Sequence, residues 1–196
     1  MTKILHQIWI GGDPPPYYYS NRQTFSTYNR HWQLCLWEKR NIEIVLRGLS
    51  QKLVKSFNMC ENSKIAQADL ARLCIVYVYG GLYADLDIEF FRDVEPLFRS
   101  NKPVFFREAE SGLVTNSIFY SCPNTKCLAN ALAKIEQMPN ITNSSDVMQF
   151  AGPEFLTQVI EKAEDVDIKR HIYFEYSPVK EYNFQYGYHR YDGSWL

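Results

Sequence analysis

The chain opens with a short apolar run that ends in glycines and prolines. Residues 3–10 read KILHQIWI and are followed by Gly11, Gly12 and, at positions 14–16, three prolines. An apolar run that stops in this way is typical of a buried strand with a loop behind it. A helix is predicted from a cap at Ser20 to about Arg30, and the alternation over residues 33–38 predicts a second strand.

The clearest helical pattern lies between residues 63 and 81. Ser63 can cap the first turn, and Gly80-Gly81 can end the helix in a left-handed conformation. The apolar side chains that recur at steps of three or four are Ala66, Leu70, Leu73 and Tyr77. The next residues, 82–88 (LYADLDI), alternate between apolar and polar and predict a strand.

The second half of the chain continues the alternation of strands and helices. Strands are predicted near residues 104–107, 117–121 and 172–175, and helices near residues 125–136 and 153–163. Strands that alternate with helices favour an α/β fold of packed layers. A chain of 196 residues without a repeat or a low-complexity linker is expected to form one domain, residues 1–196.

The amino-acid composition excludes some kinds of binding partner. Lys and Arg number 21 against 22 Asp and Glu, so no overall basic field would attract nucleic acid or an anionic membrane. No stretch of roughly 18 apolar residues is available for a membrane span. The five cysteines include no C-x-x-C pair, which favours reduced thiols in a cytosolic compartment. We therefore expect a cytoplasmic protein, whose oligomeric state is open.

Two carboxylates two residues apart carry the strongest local chemistry. In an extended chain, Asp85 and Asp87 would point to the same side and would attract a cation. A hard divalent ion on one or two carboxylates, completed by phosphate oxygens and water, is usual in nucleotide-diphosphate sites. Glu89 continues the alternation and either adds a third carboxylate or marks a polar strand edge. On the preceding helix, Asp69 and Arg72 are three residues apart and share one face.

These residues stand together in a longer motif. The segment 66–87 (AQADLARLCIVYVYGGLYADLD) resembles the signature of glycosyltransferases that carry the sugar-binding DXD region, a D-x-x-R followed by G-G-x-Y-x-D-x-D. The matching residues are Asp69, Arg72, Gly80, Gly81, Tyr83, Asp85 and Asp87. The opening run to Gly12 and the closing Ser194-Trp195 resemble the same group. This is the family 32 type, with the fungal initiating α-1,6-mannosyltransferase, capsular polysaccharide transferases and, more distantly, the glucosylating domains of large clostridial toxins.

The resemblance implies a GT-A-like fold, with a mixed and mostly parallel sheet between helices. It also implies a metal-dependent enzyme that moves a sugar from a UDP- or GDP-sugar to a glycan or protein-linked glycan, with retention of configuration, in polysaccharide or glycoprotein glycan biosynthesis. The cofactor would be Mn²⁺ or Mg²⁺. Because many members of this group are longer and membrane-anchored, we expect this chain to be a minimal bacterial or virus-encoded enzyme of the cytoplasm, or the first domain of a longer polypeptide.

The resemblance also assigns roles to single residues. Asp85 and Asp87 would hold the metal together with His189, and the catalytic group would be Asp69, Arg72, Asp85 and Asp87. The residues implied to bind the donor are Ile8, Trp9, Asp69, Arg72, Tyr83, Asp85, Asn116, Ser194 and Trp195.

Two other functions also fit paired carboxylates. A metal-dependent nucleotidyltransferase or pyrophosphohydrolase would release pyrophosphate or a nucleoside monophosphate without an acceptor. A sugar-nucleotide-binding module without catalysis would bind the donor and not turn it over. His6, in the first strand, is expected to be structural.

Overall fold

The computed structural model describes residues 1–100, 102–138, 150–170, 173–174 and 185–191. Its strands are β1 (Ile4–Ile8), β2 (Gln33–Trp37), β3 (Gly81–Ala84), β4 (Ile88–Phe90), β5 (Val104–Arg107), β6 (Val114–Ser121), β7 (Asp167–Arg170) and β8 (Gly187–His189). Its helices are α1 (Pro16–Tyr28), α2 (Lys39–Leu49), α3 (Gln51–Met59), α4 (Lys64–Tyr79), α5 (Lys126–Ile135) and α6 (Pro153–Ile160), with a short 3₁₀ helix at Glu95–Phe98.

Six strands form a central sheet in the order β2-β1-β3-β6-β5-β7. Strand β1 pairs in parallel with β2 and β3, and β5 pairs in parallel with β7. Strand β6 is antiparallel to both β3 and β5. Strands β4 and β8 form a separate antiparallel pair. The predicted α/β fold with a mixed, mostly parallel sheet is therefore confirmed.

The sheet separates two hydrophobic clusters. One face packs against helices α2 to α6, with Leu70, Leu73 and Phe119 among the buried residues. The other face packs against α1, the 3₁₀ helix and β4, with Phe25 and Phe90 at its centre. Side chains of successive strand residues point to opposite faces, so each central strand contributes to both clusters. No helix within the described ranges is long and apolar enough to cross a bilayer.

Several predicted boundaries are wrong for local reasons. Helix α1 begins at Pro16 rather than after Ser20, because proline is well suited to the first helical position, where no hydrogen bond from its nitrogen is needed. The pattern over residues 82–88 is not one strand, because β3 ends at Ala84 and β4 begins at Ile88, with a turn between them. Strand β7 at Asp167–Arg170 was not predicted. Of the strand predicted at residues 172–175, only Tyr173 and Phe174 are described, and neither is in a strand.

Helix α4 agrees best with the prediction. The Ser63 side chain accepts a hydrogen bond from the backbone N–H of Ala66, and Gly80 follows the helix with a φ of 62°. Gly81 also has a positive φ, 108°, and its Cα lies so close to the Ile4 carbonyl that a Cβ would be 2.6 Å from that oxygen. These two glycines turn the chain directly from α4 into the middle of the sheet.

Strand β6 contains a bulge beside the end of β3, where Ala84 pairs with Ile118. Phe105 of β5 pairs with Phe119, but the next residue, Phe106, pairs with Thr115, so β6 has three extra residues, 116–118. An odd number of extra residues reverses the alternation of side chains along a strand. Val114 and Phe119 accordingly lie in the same core cluster although five positions separate them. The bulge turns Asn116 towards α4.

Candidate metal and nucleotide-sugar site

The DXD turn lies at the carboxyl ends of the parallel strands β1 and β3. Its backbone is held by three neighbours: the N–H of Asp85 donates to the Ser117 carbonyl (2.8 Å), and the N–H of Arg190 donates to the Asp87 carbonyl (3.1 Å). The Asn21 amide of α1 donates to the Leu86 carbonyl (2.7 Å). Strand β6, strand β8 and helix α1 thus fix the turn from different sides.

Three side chains converge at the turn. Ligand atoms of Asp85, Asp87 and His189 all lie within 4.8 Å of one another, and Nε2 of His189 is 3.3 Å from Oδ1 of Asp87. Octahedral ligands with bonds of about 2.1 Å lie roughly 3 Å apart when adjacent and about 4.2 Å apart when opposite. Two carboxylates and an imidazole at this spacing fit Mn²⁺ or Mg²⁺ after a small contraction. Glu89 lies on β4 between buried Ile88 and Phe90 and is outside this cluster.

His189 reaches this cluster through strand pairing. Strand β8 is antiparallel to β4, and His189 lies opposite Ile88, the residue that follows Asp87. The side chain of His189 is buried. The described part of the closing segment is therefore packed against the DXD turn up to His189. The other two predicted residues of this segment, Ser194 and Trp195, lie outside the described residues.

Behind the carboxylates lies a buried ion pair. Nη2 of Arg72 is 2.9 Å from Oδ1 of Asp69, and both side chains are about 95% removed from solvent, with exposures of 4% and 5%. The Asn116 amide donates to the same Asp69 oxygen (2.9 Å), and Nη1 of Arg72 donates to the Asn116 carbonyl (2.7 Å). Helix α4 and the β6 bulge are joined by these contacts.

The ion pair connects directly to the DXD turn. Nη1 of Arg72 is 3.5 Å from Oδ1 of Asp85, and the Tyr83 hydroxyl donates to that oxygen at 2.6 Å. The Arg72 guanidinium also lies over the Tyr83 ring, 4.7 Å from its centroid. The Asp85 side chain is 22% exposed, so it is both anchored from behind and accessible from the front.

Burial shifts the pKa values of these groups. It raises the pKa of Asp69 to about 6, although Arg72 and Asn116 act in the opposite direction. Burial likewise raises the pKa of Asp85 above its ordinary value, again opposed by Arg72. For Arg72, burial would lower the pKa, but the attraction of Asp85, Tyr83 and Asp69 raises it instead. At neutral pH the guanidinium is charged and Asp69 is ionised.

Charge in this region favours a bound cation. One guanidinium, from Arg72, faces three carboxylates, from Asp69, Asp85 and Asp87. Buried carboxylates are costly unless they are paired or coordinate a metal, so a divalent cation would be stabilised next to Asp85 and Asp87.

The remaining predicted donor residues occupy different environments. Ile8 has no exposed side-chain surface and belongs to the core, so only its backbone could reach a nucleotide. Tyr83 is also fully buried, and its hydroxyl donates to Asp85; its contact with the donor stays a prediction. Trp9 is half-buried, and its indole N–H donates to the Gly12 carbonyl (2.8 Å). Asn116 is buried against Asp69.

His6 is structural, as expected. Its Nε2 lies 2.8 Å from the Gly80 carbonyl, and its Nδ1 accepts a hydrogen bond from the Trp37 indole (3.0 Å). These contacts require the neutral tautomer with the proton on Nε2. Burial also favours the neutral form, because it lowers the pKa of His6 to about 4.

Sequence reasoning did not include Asn21, which lies 65 residues from the carbonyl that it holds. No spacing rule links the two positions. Asn21 is a buried polar residue inside a helix, and its role becomes visible only when α1 is packed against β4.

Comparison with known proteins agrees with this geometry. Residues 15–104 match the family model described as glycosyltransferase sugar-binding region containing DXD motif. Mannosyl phosphorylinositol ceramide synthase SUR1 of Saccharomyces cerevisiae is 27% identical over 167 residues, covering 81% of this chain and 41% of the relative. Inositol phosphoceramide mannosyltransferase 3 of Schizosaccharomyces pombe is 23% identical over 204 residues, covering 99% of this chain and 55% of the relative. The chain thus spans about half the length of these relatives.

Solved structures share the fold at low sequence identity. The PaToxG glycosyltransferase superposes with a TM-score of 0.67 and 17% identity, over 82% of this chain and 69% of that one. The UDP-bound glycosyltransferase domain of the YGT toxin superposes with a TM-score of 0.59 and 11% identity, over 86% and 79%. The predicted GT-A-like fold and the predicted resemblance to DXD-motif glycosyltransferases are confirmed, and the enzyme class that these comparisons support is a glycosyltransferase.

The predicted location is wrong. A cytoplasmic bacterial or virus-encoded enzyme conflicts with the curated relatives, which come from two yeasts and are named for reactions on inositol phosphoceramides. The inference failed because reduced thiols and a chain shorter than its relatives do not report on the biological source.

Proposed function

We propose that this chain catalyses the transfer of a sugar from a nucleotide-diphosphate donor to a hydroxyl acceptor, with a divalent cation at Asp85, Asp87 and His189. The observation that carries the proposal is the convergence of these three side chains within 4.8 Å, next to a buried guanidinium. Bound there, Mn²⁺ or Mg²⁺ would supply positive charge to the departing diphosphate.

The protein's own residues prepare the position. Tyr83 and Arg72 both contact Oδ1 of Asp85, so this carboxylate oxygen is fixed while the side chain stays 22% exposed. Fixed charges of this kind lower the reorganisation needed as charge develops in a reaction. Because Asp69 and Arg72 are almost fully buried, we infer that they act mainly by holding Asp85 and by their charge. Direct contact of these two residues with the donor sugar stays a prediction.

The names of the relatives support a proposal for the donor and the acceptor. Since both yeast relatives carry mannosyl in their names, we propose a mannosyl donor, with the choice between GDP and UDP set by contacts around Trp9. A ceramide-linked inositol phosphate is the acceptor that these names suggest, in place of the glycan predicted from the sequence. Retention of configuration stays a prediction from the resemblance.

The test is a donor panel with product analysis. The protein is incubated with GDP-mannose, UDP-glucose and UDP-galactose, with Mn²⁺, Mg²⁺ or EDTA, and with or without inositol phosphoceramide. We expect a nucleoside diphosphate and a glycosylated lipid, formed only with the cation. Release of a nucleoside monophosphate without acceptor would indicate a pyrophosphohydrolase, and donor binding without turnover would indicate a binding module.

A further inference from the structure

The backbone of Tyr191 has an unusual conformation. Its φ is 52°, in the left-handed region that residues with a Cβ seldom occupy. The side chain is 54% exposed, so burial in the core does not explain the conformation. Positive φ values at residues other than glycine concentrate at functional sites, where the surroundings hold them in place.

The conformation brings the Tyr191 ring onto His189. The two rings are stacked, with centroids 3.9 Å apart and planes inclined by 30°. The residue between them, Arg190, is held through its backbone and its side chain. Its N–H donates to the Asp87 carbonyl (3.1 Å), and its guanidinium lies 5.3 Å from the centroid of the Tyr17 ring. The left-handed turn after this anchor is what returns the Tyr191 ring to the imidazole.

We propose that Tyr191 is a positioning residue that fixes the imidazole plane of His189 so that Nε2 points to the cation site. In many metal sites a second group holds the ligating histidine in one orientation, and the stacked Tyr191 ring is placed to do this for the imidazole of His189. Here Nε2 lies 3.3 Å from Oδ1 of Asp87, the spacing expected of two neighbouring ligands. The inference rests on the proposed function of this cluster as a metal site.

Two variants of Tyr191 distinguish the role of its aromatic ring from that of its hydroxyl group. Tyr191→Gly removes the ring and relieves the left-handed conformation, which glycine adopts readily. Tyr191→Phe keeps the ring and removes only the hydroxyl. With Mn²⁺ alone as the probe, followed by electron paramagnetic resonance, we expect about tenfold weaker affinity for Tyr191→Gly and a change within about twofold for Tyr191→Phe. The unfolding midpoint of Tyr191→Gly should not fall.

A double variant tests whether Tyr191 acts through His189. In a His189→Ala background, Tyr191→Gly should cause no further loss of Mn²⁺ affinity, because the group that it positions is gone. A second full loss in that background would overturn the inference. Equal Mn²⁺ affinity of Tyr191→Gly and the unchanged protein would overturn it as well.

A measurement without metal keeps the inference separate from the proposed function. Carbon-13 relaxation of the His189 ring in the metal-free protein should show a more mobile imidazole in Tyr191→Gly and an unchanged one in Tyr191→Phe. An equally rigid imidazole in Tyr191→Gly would refute the positioning role. Failure of the unchanged protein to bind Mn²⁺ would instead refute the proposed metal site, and the relaxation data would still decide whether Tyr191 orients His189.

Discussion

Replacing Arg72 by methionine should destabilise the fold strongly, because it leaves the carboxylate of Asp69 buried without its ionic partner. Breaking a buried pair by removing one member typically costs about 3 to 5 kcal/mol. Protonation of Asp69 limits its own share of this cost. The pKa of Asp69 is already raised to about 6 in the unchanged protein, one unit below pH 7, so taking up a proton at pH 7 costs the variant only about 1.4 kcal/mol more. The rest of the loss comes from the contacts of Arg72 with Asp85, Tyr83 and the Asn116 carbonyl.

The cost should depend on pH with a definite sign. Arg72 lowers the pKa of Asp69, so its removal raises that pKa further above the unfolded value. A raised pKa stabilises the folded state at low pH, and this stabilisation is lost as pH rises through the folded pKa. The difference between variant and unchanged protein should therefore shrink by about 1.4 kcal/mol per pH unit from pH 7 to 6. Below about 6, where Asp69 is protonated in both, it should level off. Asp85 loses the same partner, and its effect has the same sign.

Urea denaturation of both proteins at several pH values is the assay, with thermal unfolding as a check. For a chain of this size a loss of about 3 to 5 kcal/mol lowers the midpoint by roughly 6 to 20 °C. Arg47→Met is the matched control, because Arg47 is 62% exposed and pairs with Glu43 one helical turn away, a contact worth under about 0.5 kcal/mol. A loss below about 1 kcal/mol for Arg72→Met, or a loss that grows as pH falls from 7 to 6, would refute the reasoning.

Three further predictions follow from the site and the turns. Asp87→Asn should lower transfer at least about a hundredfold at saturating Mn²⁺, measured as nucleoside diphosphate release, whereas Glu89→Gln should stay near normal. Trp9→Ala should weaken donor binding by about 1 to 3 kcal/mol in calorimetry if the indole stacks on the base, and unchanged affinity in a folded variant would leave Trp9 a structural residue. Gly81→Ala should cost more than about 2 kcal/mol in urea denaturation, because its Cβ would meet the Ile4 carbonyl at 2.6 Å, whereas Gly48→Ala, which meets nothing within 4 Å in helix α2, should stabilise by about 0.5 to 1 kcal/mol.

The parts of the fold that the sequence predicted are those with strong local signals. Helix α4 combines a serine cap, an apolar repeat and a glycine stop, and all three are present in the structure. Helix α2 was not predicted, although Ile42, Val45 and Leu46 have helical spacing and are its buried residues. The mixture of charged and β-branched residues around them hid the pattern.

The candidate site was predicted in part, for a physical reason. Asp85 and Asp87 were identified as a pair, but the expected extended geometry was wrong, because a turn separates β3 from β4. Their closeness comes from the hydrogen bonds of Asn21, Ser117 and Arg190, which are distant in sequence. His189 was named only through the resemblance, since strand pairing across about a hundred residues leaves no local pattern.

The three extra residues of β6 make this edge of the sheet sensitive to chain length more than to side-chain identity. Asn116 faces Asp69 because β6 has an odd number of extra residues between Thr115, which pairs with Phe106, and Phe119, which pairs with Phe105. Arg72 meanwhile uses the Asn116 carbonyl, which any residue at that position would provide. We therefore expect Asn116→Ala to keep the Arg72 contact. Deletion of Ser117 alone would leave an even number of extra residues in β6 and would turn the side chain at position 116 to the α1 side of the sheet. Substitutions in this bulge should therefore be tolerated far better than insertions or deletions.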